Sequence, residues 1–186
     1  MSLIIAALFS IVLFTLRFLA DLSADQEERT DTESNGLEEI GEIEVFGLRM
    51  PLEEQNPWRR VSSLEQPSGE KSIIAISKDS QRIIDVFGTN DDTMNPDRLL
   101  RSSIQSLRAV TQELSQDGPQ ITSPEQVSFA GINARMQTLT YESLKTVVFA
   151  FEKENITYLV SFTMRGEGNP LQDDVFRNIA GSTEIH

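Results

Sequence analysis

The alternation of apolar and polar positions divides the chain into three stretches. Residues 1–20, MSLIIAALFSIVLFTLRFLA, are almost wholly apolar. Residues 21–42, DLSADQEERTDTESNGLEEIGE, carry few large apolar side chains and many acids. From residue 43 onward, short patterned runs alternate with Gly, Pro, Asn and Asp, the usual layout of a folded α+β domain.

Within that third stretch, IEVFGLRMP predicts an extended opening strand ended by Pro51 and followed by Trp58. KSIIAIS and RIIDVFG, separated by KDSQ, predict a hairpin. MNPDRLLRSSIQSLRAVTQELSQDGP predicts a helix. Asn95 is the N-cap, Pro96 the first helical residue, and Met94 and Leu99 stand where a hydrophobic staple places them. Leu100, Ile104, Leu107 and Leu114 share one face with Val110 at its edge, and Gly118–Pro119 is the stop. EQVSFAG, INARMQTLTYE, KTVVFAFEK and ITYLVSFTM then show period two and predict an antiparallel meander. In the last run Ile156, Tyr158, Val160, Phe162 and Met164 alternate with Thr157, Leu159, Ser161 and Thr163. GNPLQDDVFRNIAGS predicts a closing helix started by a second Asn-Pro, with Leu171, Val175 and Ile179 on one stripe and Gly181 as the cap.

The order of these elements, with GLRMPLEEQNPW, VSFAGINA, ITYLVSFTM and VFRNIAGS, resembles the PsbP-like superfamily. That group includes the photosystem II extrinsic protein, the DcrB-like periplasmic proteins and the Ran-release factors. The resemblance implies an α/β/α sandwich over residues 43–186, an antiparallel β-sheet with packed helices. It also implies a non-catalytic accessory role, exercised outside the cytoplasm in the branches that carry an N-terminal membrane segment. It transfers no functional residue, cofactor or metal site.

The apolar stretch is either a cleaved signal or a retained anchor. Leu3–Leu16 makes a helix of ~21 Å; extension to Ala20 gives ~27 Å, near the hydrocarbon thickness, with Arg17 reaching the interface. A signal normally opens with Lys or Arg, and here only Met1 and Ser2 precede the run; LSA before Asp25 puts Leu22 where a small residue is preferred. The expectation is a single-pass transmembrane anchor over 1–20, a flexible acidic linker over 21–42, and a domain over 43–186. Arg17 and Arg29 alone favour a cytoplasmic domain by the positive-inside rule. The resemblance favours a periplasmic one, and that is the orientation expected.

Charge sharpens this layout. The chain has a formal charge of −13, which argues against nucleic acid as a partner. From Asp21 to Glu44 there are ten acids against Arg29 alone, a net of −9. This stretch reads as a solvated, self-repelling tether holding the domain ~25 Å from the bilayer, or alternatively as an acidic docking tail for a basic partner. There is no cysteine and a single histidine, His186, so thiol chemistry and His-based triads or zinc sites are excluded.

The remaining candidate chemistry is thin. GTNDDTMNPD gathers Asn90, Asp91, Asp92, Asn95 and Asp97, but misses the spacing of a calcium loop and reads as a polar turn feeding an N-cap. Asp173 and Asp174 read as first-turn acids. Trp58, Arg59 and Arg60 stand out in an acidic chain. They are candidate partner-binding residues, and packing under the sheet edge explains Trp58 at least as well. With no nucleophile elbow, phosphate loop or dinucleotide motif, the expected function is a membrane-tethered, non-enzymatic domain that binds or steadies a protein partner. A small-ligand carrier using a cleft between sheet and helix is the alternative. No cofactor is expected.

Overall fold

A computed structural model describes residues 37–52, 57–66, 69–114, 119–141, 144–166 and 168–186, with side chains 110–114 excepted. The expected transmembrane segment 1–20 with Arg17, the acidic stretch up to Gly36, the side chains of Val110 and Leu114, and Gly118 lie outside the described residues. Among the described residues no helix is long and apolar enough to cross a membrane.

The scaffold is one large antiparallel sheet. Its strands are β1 (Glu39–Ile40), β4 (Trp58–Gln66), β5 (Glu70–Ser77), β6 (Arg82–Thr89), β7 (Gln120–Ile121), β8 (Glu125–Phe129), β9 (Ile132–Tyr141), β10 (Leu144–Lys153) and β11 (Ile156–Arg165). They run in the order β1-β4-β5-β6-β11-β10-β9-β7, with β8 also on β9. The expected hairpin β5–β6 and meander β9–β10–β11 are both present. Glu154 and Asn155 turn between β10 and β11 with φ of 51° and 63°, a conformation that Asn tolerates well.

Because strand side chains alternate, the sheet has two apolar faces and each needs a cover. Leu159 on β11, Val148 and Ala150 on β10, Leu139 on β9 and Phe87 on β6 form one cluster with Met94, Leu99, Leu100 and Ile104. The last three belong to helix α1 (Pro96–Leu114), which packs across β9, β10 and β11. Asn95 Oδ1 accepts from Arg98 N at 2.9 Å, the expected N-cap.

The opposite face is an aromatic core. Phe129, Phe149, Phe151, Tyr158 and Phe162 meet at ring-centre distances of 4.9 to 6.2 Å, in tilted, stacked and edge-on geometries. Helix α2 (Asp174–Ser182) docks Phe176 on Phe162 at 4.8 Å and buries Ile179 beside it. The rest of this cover differs from the expectation. IEVFGLRMP is a hairpin, β2 (Glu42–Val45) and β3 (Leu48–Pro51), and β3 also pairs with β12 (Glu184–Ile185). The reversal falls at Phe46–Gly47, whose φ values of 47° and 80° mark a tight hairpin turn. Phe46 is held there by Tyr158, whose hydroxyl donates to the Phe46 carbonyl at 2.5 Å. Gly47 accepts from His186 N at 3.1 Å, which pins the last residue to the turn.

Three further expectations are corrected. The second Asn-Pro does not start a helix: Asn169 Oδ1 accepts from Leu171 N in a turn, Leu171 is exposed, and Asp173 is the N-cap, accepting from Phe176 N at 3.0 Å. A polar side chain four residues nearer the apolar stripe captures the helix start. Gly181 lies inside the last turn of α2, and Thr183 is the C-cap. Finally, residues 37–42, expected to end the linker, belong to the fold: β1 pairs with β4 and Glu42 opens β2.

Candidate functional site

Among the described residues, the buried side-chain atoms without a hydrogen-bond partner fall on three neighbouring strands, on both faces of the sheet. They are Trp58 Nε1 and Arg60 Nε on β4, Glu70 Oε2 on β5 and Asp85 Oδ1 on β6. Buried polar groups are ordinarily paired, so each such atom calls for its own account.

Register places each side chain. Trp58 and Arg60 point to the aromatic face: Arg60 lies opposite Ala75 of that core, and Trp58 is itself part of it, 1 % exposed. Trp58 therefore packs under the sheet edge. Arg60 is 35 % exposed and pairs through Nη1 with Glu38 Oε2 at 3.2 Å. Arg59, between them in sequence, points to the opposite face beside Ile76 of β5 and Glu39 of β1. The three candidate residues thus share a strand end but not a surface. What the fold does join is the chain's approach and the arginines, since Glu38 O also accepts from Arg60 N at 2.8 Å.

Asp85 is the residue sequence reasoning passed over. It sits opposite Ile74 of β5 and Ser161 of β11, between Ile83 and Phe87 on the face that α1 covers further along. The side chain keeps some access to solvent, but Oδ1 has none and no partner, and burial pushes the carboxyl up to about 7. A signal was present in RIIDVFG: an acid occupies the middle of a period-two apolar stripe. Glu70, on the same face opposite Thr89, is 2 % exposed. Its carboxyl is raised first by burial and then by the nearby charge of Asp91.

Asp91, Asp97 and Asp173 have structural partners. Asp91 Oδ1 accepts from Thr93 N at 2.9 Å and Thr93 Oγ1 at 2.8 Å, and those bonds hold its carboxyl below the usual range. Asp97 pairs with Arg135 at 3.1 Å. The stretch around Asp91 is a polar turn that feeds the Asn95 cap. Asp173 is more than a first-turn acid. Besides capping α2 it takes a two-pronged bond from Arg82, Nε to Oδ1 at 3.1 Å and Nη2 to Oδ2 at 2.9 Å, tying α2 to β6. Burial opposes its ionisation, but the Arg82 bonds and the helix amides outweigh burial and lower it.

No family model and no curated protein sequence matches the chain. Among solved structures, it is similar to the solution structure of cyanobacterial PsbP from Synechocystis at 12 % identity and a TM-score of 0.47, covering 84 % of this chain and 98 % of that one. A crystal structure from Bacteroides thetaiotaomicron is similar at 12 % identity and a TM-score of 0.43 over 75 % of this chain; the chain spans 45 % of that protein's length. LpqN of Mycobacterium tuberculosis, described as involved in cell envelope biogenesis, is similar at 13 % identity and a TM-score of 0.35, covering 89 % and 95 % of the two chains. Those likenesses concern the course of the backbone, and function is argued from the residues.

Proposed function

We propose that this chain is a membrane-tethered, non-catalytic accessory domain that holds a protein partner along the outer edge of β4, on the extracytoplasmic side. The observation that carries this reading is an asymmetry between the two ends of the sheet. At one end β8 and β7 pair with β9 over Ile132–Met136 and Leu139–Thr140. At the other, β4 runs nine residues, and among the described residues β1 pairs with it only at Trp58 and Arg59, extended by the Arg60–Glu38 bond. An extended segment of a partner adds to such an edge by main-chain hydrogen bonds. The register shift between Arg60 and Ser62 and the exposed Glu65 are devices that keep an edge from pairing at random, leaving Ser62–Gln66 as the regular stretch. Arg59 and Arg60 flank it.

A photo-crosslinking side chain at Ser63 or Glu65, in membranes from the source cells, should capture a protein that the same probe on the exposed face of α1 does not. Protease added to spheroplasts should reach the domain. Identical capture from both positions, or a protected domain, refutes the reading.

A second reading has one observation in its favour. The orphaned Asp85 oxygen suits a cationic or hydrogen-donating small ligand between the β5–β6 surface and a covering element. The packed α1 interface with β9–β11 leaves no such role on the other half of that face. Screening small amines for thermal stabilisation that Asp85→Asn abolishes separates the two readings.

A further inference from the structure

The outward side of α1 is basic although the protein is acidic. Arg98, Arg101, Gln105 and Arg108 recur at intervals of three and four residues and are all exposed, so they form one stripe. It runs ~15 Å along the helix at 1.5 Å per residue. Arg98 is steadied by donating Nη1 to Thr93 O at 2.9 Å. Of the acids nearby, Asp97 pairs with Arg135, and Asp91, which feels the Arg98 charge, accepts from Thr93.

The chain also supplies an occupant. Residues 21–36 contain Asp21, Asp25, Glu27, Glu28, Asp31 and Glu33 against Arg29 alone, a net of −5. The described chain begins at Leu37, just before β1, on the same sheet whose far half α1 covers. From β1 to β10 is five strand spacings, ~24 Å at ~4.8 Å each. The six to twelve residues between Leu37 and Asp31 to Asp25 reach ~20 to ~40 Å when extended. Exposed ion pairs are individually weak and screened by salt, so free acidic peptides would hold poorly. A tethered segment presents itself at an effective concentration in the mM range, and that makes the pairing intramolecular.

We infer that the arginine stripe of α1 is a docking surface for the chain's own acidic segment, residues 21–33, an electrostatic latch that draws the domain back along its tether. Salt, or a more acidic competitor, opens the latch and lengthens the reach of the domain.

The absence of cysteine makes the test direct. A nitroxide on Ser23→Cys, in the full-length chain in neutral detergent micelles, should broaden the amide signals of α1 between Arg98 and Arg108 at low salt. The signals should recover at ~0.5 M salt, where the screening length falls to a few ångströms. Arg98→Glu with Arg101→Glu should abolish the broadening. So should Glu27→Lys with Glu28→Lys, which leaves the folded domain untouched; combining the two pairs should restore it. Broadening that survives salt and charge reversal, or that arises only between a labelled and an unlabelled copy, overturns the inference. So does protection of the stripe that appears only with anionic lipid vesicles.

Discussion

Replacing Asp85 with Asn should make the protein's stability less dependent on pH. In the folded state the carboxyl holds its proton up to about pH 7, because burial disfavours the charge. In the unfolded chain it ionises near its ordinary value of 3.8. Below that lower value both states are protonated and Asp85 costs nothing through ionisation. Between the two values the unfolded state alone releases the proton, so rising pH favours unfolding. Above about 7 the folded state carries a buried charge and the penalty is complete. At 1.36 kcal/mol per unit, a shift of about three units corresponds to about 4 kcal/mol for a carboxyl wholly shut off from water. The side chain keeps some access to solvent, so the expected span is about 2–4 kcal/mol.

Trp58, the only tryptophan and buried in the core, gives the readout. Urea unfolding of the full chain in mild detergent, followed by its fluorescence, yields a stability for wild type and for Asp85→Asn at each pH. Asn has its own cost at a buried site, but that cost does not titrate. The informative quantity is the mutant-minus-wild-type difference, which should climb by that span from pH 4 to pH 8, while other carboxyls cancel from it. A difference flat with pH, or one that moves against the mutant at high pH, refutes the reasoning: the first means Asp85 titrates normally, the second that its carboxylate has a partner.

Three other substitutions probe the scaffold. Asp173→Ala removes the α2 cap and the two-pronged bond to Arg82, which keeps its pairing with Asp79 at 3.2 Å; it should cost about 2–3 kcal/mol at neutral pH in the same urea assay. Because pairing lowers the Asp173 carboxyl, that loss should shrink as pH falls through its folded value, opposite in sign to Asp85. Tyr158→Phe deletes the bond to Phe46 O and should cost about 1 kcal/mol, with faster amide exchange at the β2–β3 turn. Gly47→Ala puts a Cβ at a φ of +80° and 2.6 Å from His186 O, so it should release β12 and speed amide exchange at Ile185 and His186 without unfolding the large sheet.

How much of this was legible depended on whether an element buries one face or none. The meander, the β5–β6 hairpin and α1 announce themselves because a long apolar face repeats at the period of the structure that hides it. WRRVSSLEQ gave no such signal, because β4 lies at the edge of the sheet and most of it is only partly buried. The hairpin β2–β3 was hidden by its turn: Phe46 takes a positive φ that its residue type disfavours, and what holds it there, Tyr158 and His186, is over a hundred residues away. Asp173 was misjudged for the same reason, since Arg82 stands 91 residues before it. Asp85 could have been found, as a charge breaking an apolar alternation.

The layering constrains where function can reside. The aromatic face of the sheet is closed by β2, β3, β12 and α2, and the face over β9–β11 by α1. Neither cover can be displaced without exposing a core containing Phe151, Tyr158, Leu99 and Leu100, so neither serves reversible binding at reasonable cost. Among the described residues, what remains is the β4 edge with Arg59 and Arg60, the orphaned carboxyl of Asp85 two strands in, and the outer side of α1. The proposed partner edge is where β1 joins the sheet, and the proposed latch lies over its far half. On the two proposals together, a latch closed on α1 would shorten the proposed tether, while one opened by salt or by an acidic competitor would let the β4 edge reach further from the membrane. The two proposals therefore differ in a measurable way: charge reversal on α1 should change how far the edge reaches a crosslinking target, and leave the identity of that target unchanged.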